Sequence, residues 1–425
     1  MTVFLLMAAY ALAFVDRQIL TLLVEPVRRD LNITDTQFSL LSGLAFTLFY
    51  TVMGIPFAWV ADRKSRHKLI VFSLMFWSLM TAACGMAGSF LTLFLARIGV
   101  GVGEAGLSPA AYSMIADSFP PAKRARPLGV YAIGSIAGVG LALIIGGAVI
   151  QWAMSAPPVV VPLLGELKSW QLAFLIVSVP GPVLALAMLA VREPRRQEKA
   201  PAAGEPAPSF LLFLKARWKP FFLLSLGYAL LAVSIAAYLT WTPAFMARSY
   251  GWEMGRIGAV YGAILLIFST SGIVLGGWWA DLLADKGVKD AVLRVAVAGS
   301  AVGLPFAIWA PFAPSGVLAM AAIAAMSFGF GLSQGLPAPT LQAIAPNRLR
   351  ARVMALYLLI GNIVAFTVGP TGVALISDYW LKDPARIGAA VGIISGVVVP
   401  LGIVVLWAAR KSFVEAAAIE AGPQV

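Results

Sequence analysis

Long unbroken stretches of apolar residues, separated by short clusters of charge, run along the chain from its first residues. A bilayer core about 30 Å thick takes roughly 20 apolar residues per helix. On that measure the hydropathy pattern predicts twelve spans, near 1–24, 36–61, 69–88, 91–118, 127–152, 170–191, 219–247, 253–280, 291–310, 316–344, 351–376 and 387–409. The runs are continuous rather than alternating at every second residue, which excludes a transmembrane β-barrel. Their connections are short, which leaves no room for a large soluble domain. The expected fold class is all-α, with twelve transmembrane helices.

Between spans 6 and 7 lies REPRRQEKAPAAGEPAPSF, rich in Pro, Ala and charge and too polar to enter the bilayer. It reads as a linker at 192–218, dividing an N-terminal six-helix bundle at 1–191 from a C-terminal one at 219–409, with a tail at 410–425. The halves echo each other. Arg124-Ala-Arg126 followed by Tyr131 matches Arg350-Ala-Arg352 followed by Tyr357, and Ala61-Asp62 matches Ala280-Asp281 at a similar offset. Such a parallel repeat, with pseudo-two-fold symmetry about the membrane normal, is the architecture of a carrier that rocks around a midplane site.

Composition agrees: 60% of the 425 residues are hydrophobic and only 12% charged, more apolar surface than a soluble core could hide. The formal charge of +12 could suggest a nucleic-acid partner. The basic residues lie in loops, however, and mostly on one side: Arg63, Lys64, Arg66 and Lys68; Lys123, Arg124 and Arg126; the linker; Arg348, Arg350 and Arg352. The positive-inside rule therefore sets that side and both termini in the cytoplasm and accounts for the charge without nucleic acid. The expected location is a plasma membrane, a bacterial inner membrane in particular. The single cysteine, Cys84, permits no internal disulfide, and Asp16-Arg17 inside the first apolar run argues for a span rather than a cleaved leader.

Four ionisable residues fall inside the N-terminal spans: Asp16 and Arg17 in span 1, Arg97 and Glu104 in span 4. Each costs at least about 2.5–3.5 kcal/mol on an isolated helix, so they should face a cavity or one another. Arg97 and Glu104 lie two helical turns apart, about 10.5 Å, on one face. Similar depth makes an Asp16–Arg97 pair feasible and leaves Arg17 free to reach Glu104 or a ligand. The four charges sum to zero. If Asp16 or Glu104 takes up a proton, an arginine is freed to hold an anionic group, which casts Asp16 and Glu104 as proton-coupling residues and Arg17, Arg97 and Glu104 as substrate contacts.

No mid-membrane acid or base is expected in the C-terminal half. Its polar inventory is Tyr238, Thr240, Trp241, Gln334, Gln342, Asn362 and Thr367. Tyr238, Trp241 and Asn362 are read as contacts for the less polar end of a ligand, although the two aromatics fit ordinary packing equally well. A cavity charged on one wall and apolar on the other suits an anionic amphiphile.

At the cytoplasmic ends, Asp62, Arg63 and Arg66 form a charged turn, and Asp117 is placed to meet Arg63 or Arg66. These four are expected to work as a conformational latch. Glycines recur in spans 4 and 5 and are expected to allow close helix packing. Lone His67 reads as a solvated loop residue. No metal or cofactor ligand spacing appears, and no nucleophile and base can be paired, so neither cofactor nor enzymatic activity is expected.

AWVADRKSRHKL after span 2 resembles the loop motif of the major facilitator superfamily, with Ala58 where glycine is usual; GGWWADLLADKG after span 8 is a weaker copy with Leu282 in the basic position. ARIGVGVGEA in span 4 is similar to that superfamily's Arg-containing motif, and the span 5 glycines resemble its gate motif. FVDRQIL with GEAGLSPAAYSMIADSFPPAKRARPLGVY resembles the Spinster branch, whose animal members export sphingosine-1-phosphate or lysophospholipids. The resemblance implies alternating access between two six-helix bundles and carries coupling and binding roles onto Asp16, Arg17, Arg97 and Glu104, and latch roles onto Asp62, Arg63, Arg66 and Asp117. Bacterial members share the pattern with carriers of sugar acids and aromatic acids.

Taken together, the expectation is a monomeric, proton-coupled secondary transporter of an anionic, lysolipid- or sphingolipid-like amphiphile, bathed by membrane lipid. A carrier of a small organic or sugar acid is the alternative, and a non-transporting receptor a more distant one.

Overall fold

The computed structural model describes residues 2–120, 123–155, 159–161, 165–196, 209–346 and 348–421. Among them are twelve helical segments long and apolar enough to cross a membrane: spans 1 (Thr2–Leu22), 2 (Asp35–Arg63), 3 (Arg66–Gly85), 4 (Phe90–Ser118), 5 (Arg126–Ser155), 6 (Ser169–Leu189), 7 (Phe210–Tyr250), 8 (Met254–Asp285), 9 (Ala291–Phe312), 10 (Gly316–Ala343), 11 (Arg352–Leu381) and 12 (Pro384–Glu420). The starts follow local chemistry. Thr34 and Gln37 form a reciprocal cap at span 2, Ser65 accepts from the Lys68 amide at span 3, and Ser89 with Thr92 caps span 4. A β-hairpin joins spans 5 and 6: β1 (Val159–Val161) pairs antiparallel with β2 (Gly165–Leu167).

Several spans break at depth. In span 4 one helix ends at Glu104 and the next begins at Leu107. Span 6 breaks at Val179-Pro180 and span 10 at Gly335-Leu336. Span 8 carries a π-helical segment at Leu265–Ser269, whereas the one at Ile376–Leu381 forms the end of span 11. Interrupted backbone is tolerated at membrane depth only where protein or a watery cavity satisfies it, so these breaks mark candidate sites.

The described residues pack as two compact units, residues 1–199, 240–266 and 374–385 in one and 200–239, 267–373 and 386–425 in the other. Spans 1–6 thus share their unit with the Thr240–Leu266 stretch of spans 7 and 8. The physical reason is close packing: a side chain at Gly258 in span 8 would meet the Leu143 carbonyl of span 5 at 2.2 Å and Gly147 at 2.9 Å. Residues 197–208 of the expected linker and 422–425 of the expected tail lie outside the described residues. The rest of those stretches is more helical than hydropathy suggests. Span 7 starts at Phe210, with a kink at Arg217, and the last helix runs on to Ala421. Charge pins both extensions, through Arg217 to Glu420 at 3.4 Å and Arg410 to Asp290.

Candidate functional site

The first unit gathers all four intramembrane charges. Asp16, Arg97 and Glu104 are each 1% exposed. Arg17 Nε donates to Glu104 Oε2 at 2.7 Å, and Arg97 Nη1 donates to the backbone carbonyl of Asp16 at 3.2 Å. The feasible Asp16–Arg97 pair is therefore made through the main chain. Asp16 Oδ1, Arg97 Nε and Glu104 Oε1 remain buried without a hydrogen bond. Trp77 and Thr81 of span 3 stand beside the Asp16 carboxyl; they escape a search for charged residues.

Aromatic rings surround the arginines. The Arg17 guanidinium carbon lies 5.0 Å from the Phe14 ring centre, 4.7 Å from Phe46 and 4.4 Å from Tyr50, and Phe46 also faces Arg97 at 5.3 Å. Ring quadrupoles attract a poorly hydrated cation. The wall continues with Tyr10 stacked on Tyr131 at 4.8 Å and Tyr112 edge-on to Tyr131 at 5.1 Å. The helical spacing Tyr10, Phe14, Arg17 was the one available sequence signal for it. Glycine lets spans 2 and 4 meet here, since a side chain at Gly101 would strike the Phe46 carbonyl at 2.6 Å. The break after Glu104 places its carboxylate at a helix end, with Gly106 against Ser73.

At the end of this unit that carries the turn between spans 2 and 3, Arg66 is 1% exposed and has each guanidinium nitrogen hydrogen-bonded. It binds Asp117, Glu193 Oε1 at 3.2 Å, Ser113 Oγ at 2.9 Å and the Pro194 carbonyl at 2.8 Å. Of the four expected latch residues, Arg66 and Asp117 meet; Asp62 is exposed, and Arg63 is exposed with its guanidinium 4.2 Å from the Trp59 ring. Glu193, the acid next to span 6, completes the cluster unforeseen. Burial works against its charge, but hydrogen bonds from Ser65 and from the Arg66 amide and guanidinium outweigh that and hold its carboxyl below the usual range. His67 is half-buried rather than solvated, its Nε2 2.7 Å from the Met188 carbonyl.

The opposite end of the unit holds a second cluster that sequence reading missed. Arg248 grips both Asp35 oxygens at 2.8 Å and reaches Glu25 at 2.5 Å; Arg28 adds a contact to Asp35 at 2.9 Å. Asp378, on the π-helical turn, accepts from the Thr36 amide and hydroxyl, each at 2.7 Å. Trp241 belongs to this unit, fully buried with its ring centre 6.0 Å from Phe38.

In the second unit Tyr238 is buried and donates to the Ala307 carbonyl. Asn362 and Gln334 instead line a cavity of about 200 Å³ with Tyr228, Tyr357 and Phe366. Asp290 anchors Arg294 at 2.9 Å and also Arg410; burial is again outweighed by those hydrogen bonds, which lower its pKa.

Twelve spanning helices, interrupted at depth around buried paired charges, define a polytopic membrane carrier. Residues 6–370 match the Major Facilitator Superfamily, and the chain belongs to that family of transporters, built as two six-helix bundles. It is 30% identical over 408 residues to an MFS-type efflux pump of Mycolicibacterium smegmatis, covering 95% of this chain and 90% of that one. It is 25% identical to a probable L-galactonate transporter of Escherichia coli, covering 74% and 69%. Among solved structures it is similar to a bacterial homolog of the human lysosomal transporter Spinster in an inward-facing, unoccupied conformation, with a TM-score of 0.79, 26% identity and coverage of 98% and 96%.

Proposed function

We propose that this transporter is proton-linked and carries an organic anion, with Asp16 and Glu104 taking up protons and Arg17 and Arg97 holding the anion. The observation that carries the reading is the half-used Glu104 carboxylate: Oε2 holds Arg17 while Oε1 is buried and unpaired. Protonating Glu104 removes the charge that holds Arg17. The guanidinium, still embraced by Phe14, Phe46 and Tyr50, then becomes the nearest partner for an anionic group. Arg66 with Asp117 and Glu193 acts as the latch, on the side that the basic loops place in the cytoplasm, together with both termini; a bacterial inner membrane is the fitting location. Uptake into proteoliposomes under an imposed pH gradient tests the coupling. Asp16→Asn and Glu104→Gln should each flatten the pH dependence, and an unaltered profile in both would overturn the reading.

For the cargo, the aromatic wall of Tyr10, Tyr112 and Tyr131 beside the arginines supports an anion with an apolar body, as the Spinster resemblance implies for lysolipid- or sphingolipid-like amphiphiles. A small organic or sugar acid is the second reading, supported by the similarity to the galactonate carrier. Thermal stabilisation by lysolipids against sugar acids separates the two.

A further inference from the structure

The cavity of the second unit has a chemistry distinct from the charged cluster. It sits among spans 7, 10 and 11, and no Asp, Glu, Lys or Arg lines it. The break in span 10 leaves Gln334 as the last residue of its first helix, with the side chain exposed, and Asn362 projects from span 11, half-buried. Both amides line the cavity, and neither forms a hydrogen bond with another described side chain or backbone group. Their hydrogen-bonding capacity, two donors and an acceptor each, is open to a ligand in the cavity. Tyr228 presents its ring, and its hydroxyl shares a hydrogen bond with Thr340 at 2.9 Å. Tyr357 and Phe366 add two further faces.

Size narrows the occupant. About 200 Å³ is somewhat larger than the roughly 150 Å³ cavity that accepts benzene in another protein. One six-membered ring with one or two small substituents fits that volume. Aromatic walls favour a flat ring. A fully hydroxylated sugar would leave several hydroxyls facing Leu231, Ile235 and Ala365 unpaired.

We infer that this cavity is a binding subsite for an uncharged, hydroxyl- or amide-bearing aromatic ring, read by Gln334 and Asn362. The inference rests on the carrier reading only in treating the occupant as cargo.

The test uses the full chain in detergent with 4-hydroxybenzamide as the probe, and toluene and glucose as comparators, read by thermal shift. The probe should stabilise the protein more than either comparator. Gln334→Leu and Asn362→Leu should each weaken its apparent affinity roughly tenfold. Asn362→Ser, a milder change, should weaken it too and serves if the leucine variant fails to fold. Equal stabilisation by toluene, tighter binding of glucose, or unchanged probe affinity in the amide variants would each overturn the subsite. Because this assay needs no transport, loss of the carrier reading through the pH-gradient experiment would leave the subsite standing.

Discussion

Arg17 and Glu104, 87 residues apart in sequence, meet at 2.7 Å where span 1 crosses the break in span 4. The Glu104 side chain is fully buried and the Arg17 side chain 19% exposed. Removing one partner strands a charge, at a cost of about 3–5 kcal/mol, while replacing both by apolar groups is often neutral. Arg17→Ala and Glu104→Ala should therefore lower the melting temperature in detergent. Arg17→Met combined with Glu104→Leu should recover most of that loss while still abolishing uptake. A double variant as unstable as the singles would show that a stranded charge is not what destabilises them.

The Arg66 cluster should be sensitive to acid. Glu193 has a lowered pKa in the folded protein, so the stability it adds is complete above its ordinary value of about 4.5 and disappears as pH falls through the folded value. Melting temperatures recorded downward from pH 6 should fall less steeply in Glu193→Gln than in the parent. Asp117→Asn, which leaves Arg66 buried with a weaker partner, should destabilise at neutral pH as well.

Much of this was legible in the sequence. The spans follow from hydropathy because the bilayer fixes their length, and the four intramembrane charges stand out because nothing else excuses their cost. Helix ends placed Asp117 beside the turn between spans 2 and 3 but left Arg63 and Arg66 as alternative partners; packing selects Arg66. What escaped was of another kind. Arg248 and Asp35 were each assigned to loops, and only tertiary packing shows that span 7 brings its arginine to the start of span 2. Trp77, Phe46 and Tyr50 look like ordinary membrane aromatics until the arginines beside them are located. Tyr238 and Trp241 are buried, the first donating to the Ala307 carbonyl and the second against Phe38, which hydropathy does not show.

Arg248 uses its planar fork on both Asp35 oxygens, a geometry lysine cannot reproduce. Arg248→Lys and Asp35→Asn should both loosen that end of the first unit. With Phe38, buried beneath it, replaced by cysteine, a membrane-impermeant maleimide should label at least several-fold faster in either background than in the otherwise unchanged protein. Thr36→Ala, which removes only the side-chain hydrogen bond to Asp378, should have the smaller effect. Equal labelling rates in all four proteins would show that the ion pair does not shield the position of Phe38.

Spans 5 and 8 pack glycine against glycine, and that contact can be separated from glycine's effect on helix propensity. At Gly258 an added methyl would lie 2.2 Å from the Leu143 carbonyl and 2.9 Å from Gly147, both backbone atoms that cannot swing aside. Gly258→Ala should cost about 1–3 kcal/mol through overpacking. Gly277, on the same span, has nothing within 4 Å of the corresponding position. There the alanine adds no clash and gains helix propensity of up to about 1 kcal/mol, so Gly277→Ala should melt at the parent temperature or above it. The two substitutions are chemically identical, so opposite signs in one thermal-melt experiment would isolate the interhelical approach. A similar fall in both would instead assign the loss to the helix itself.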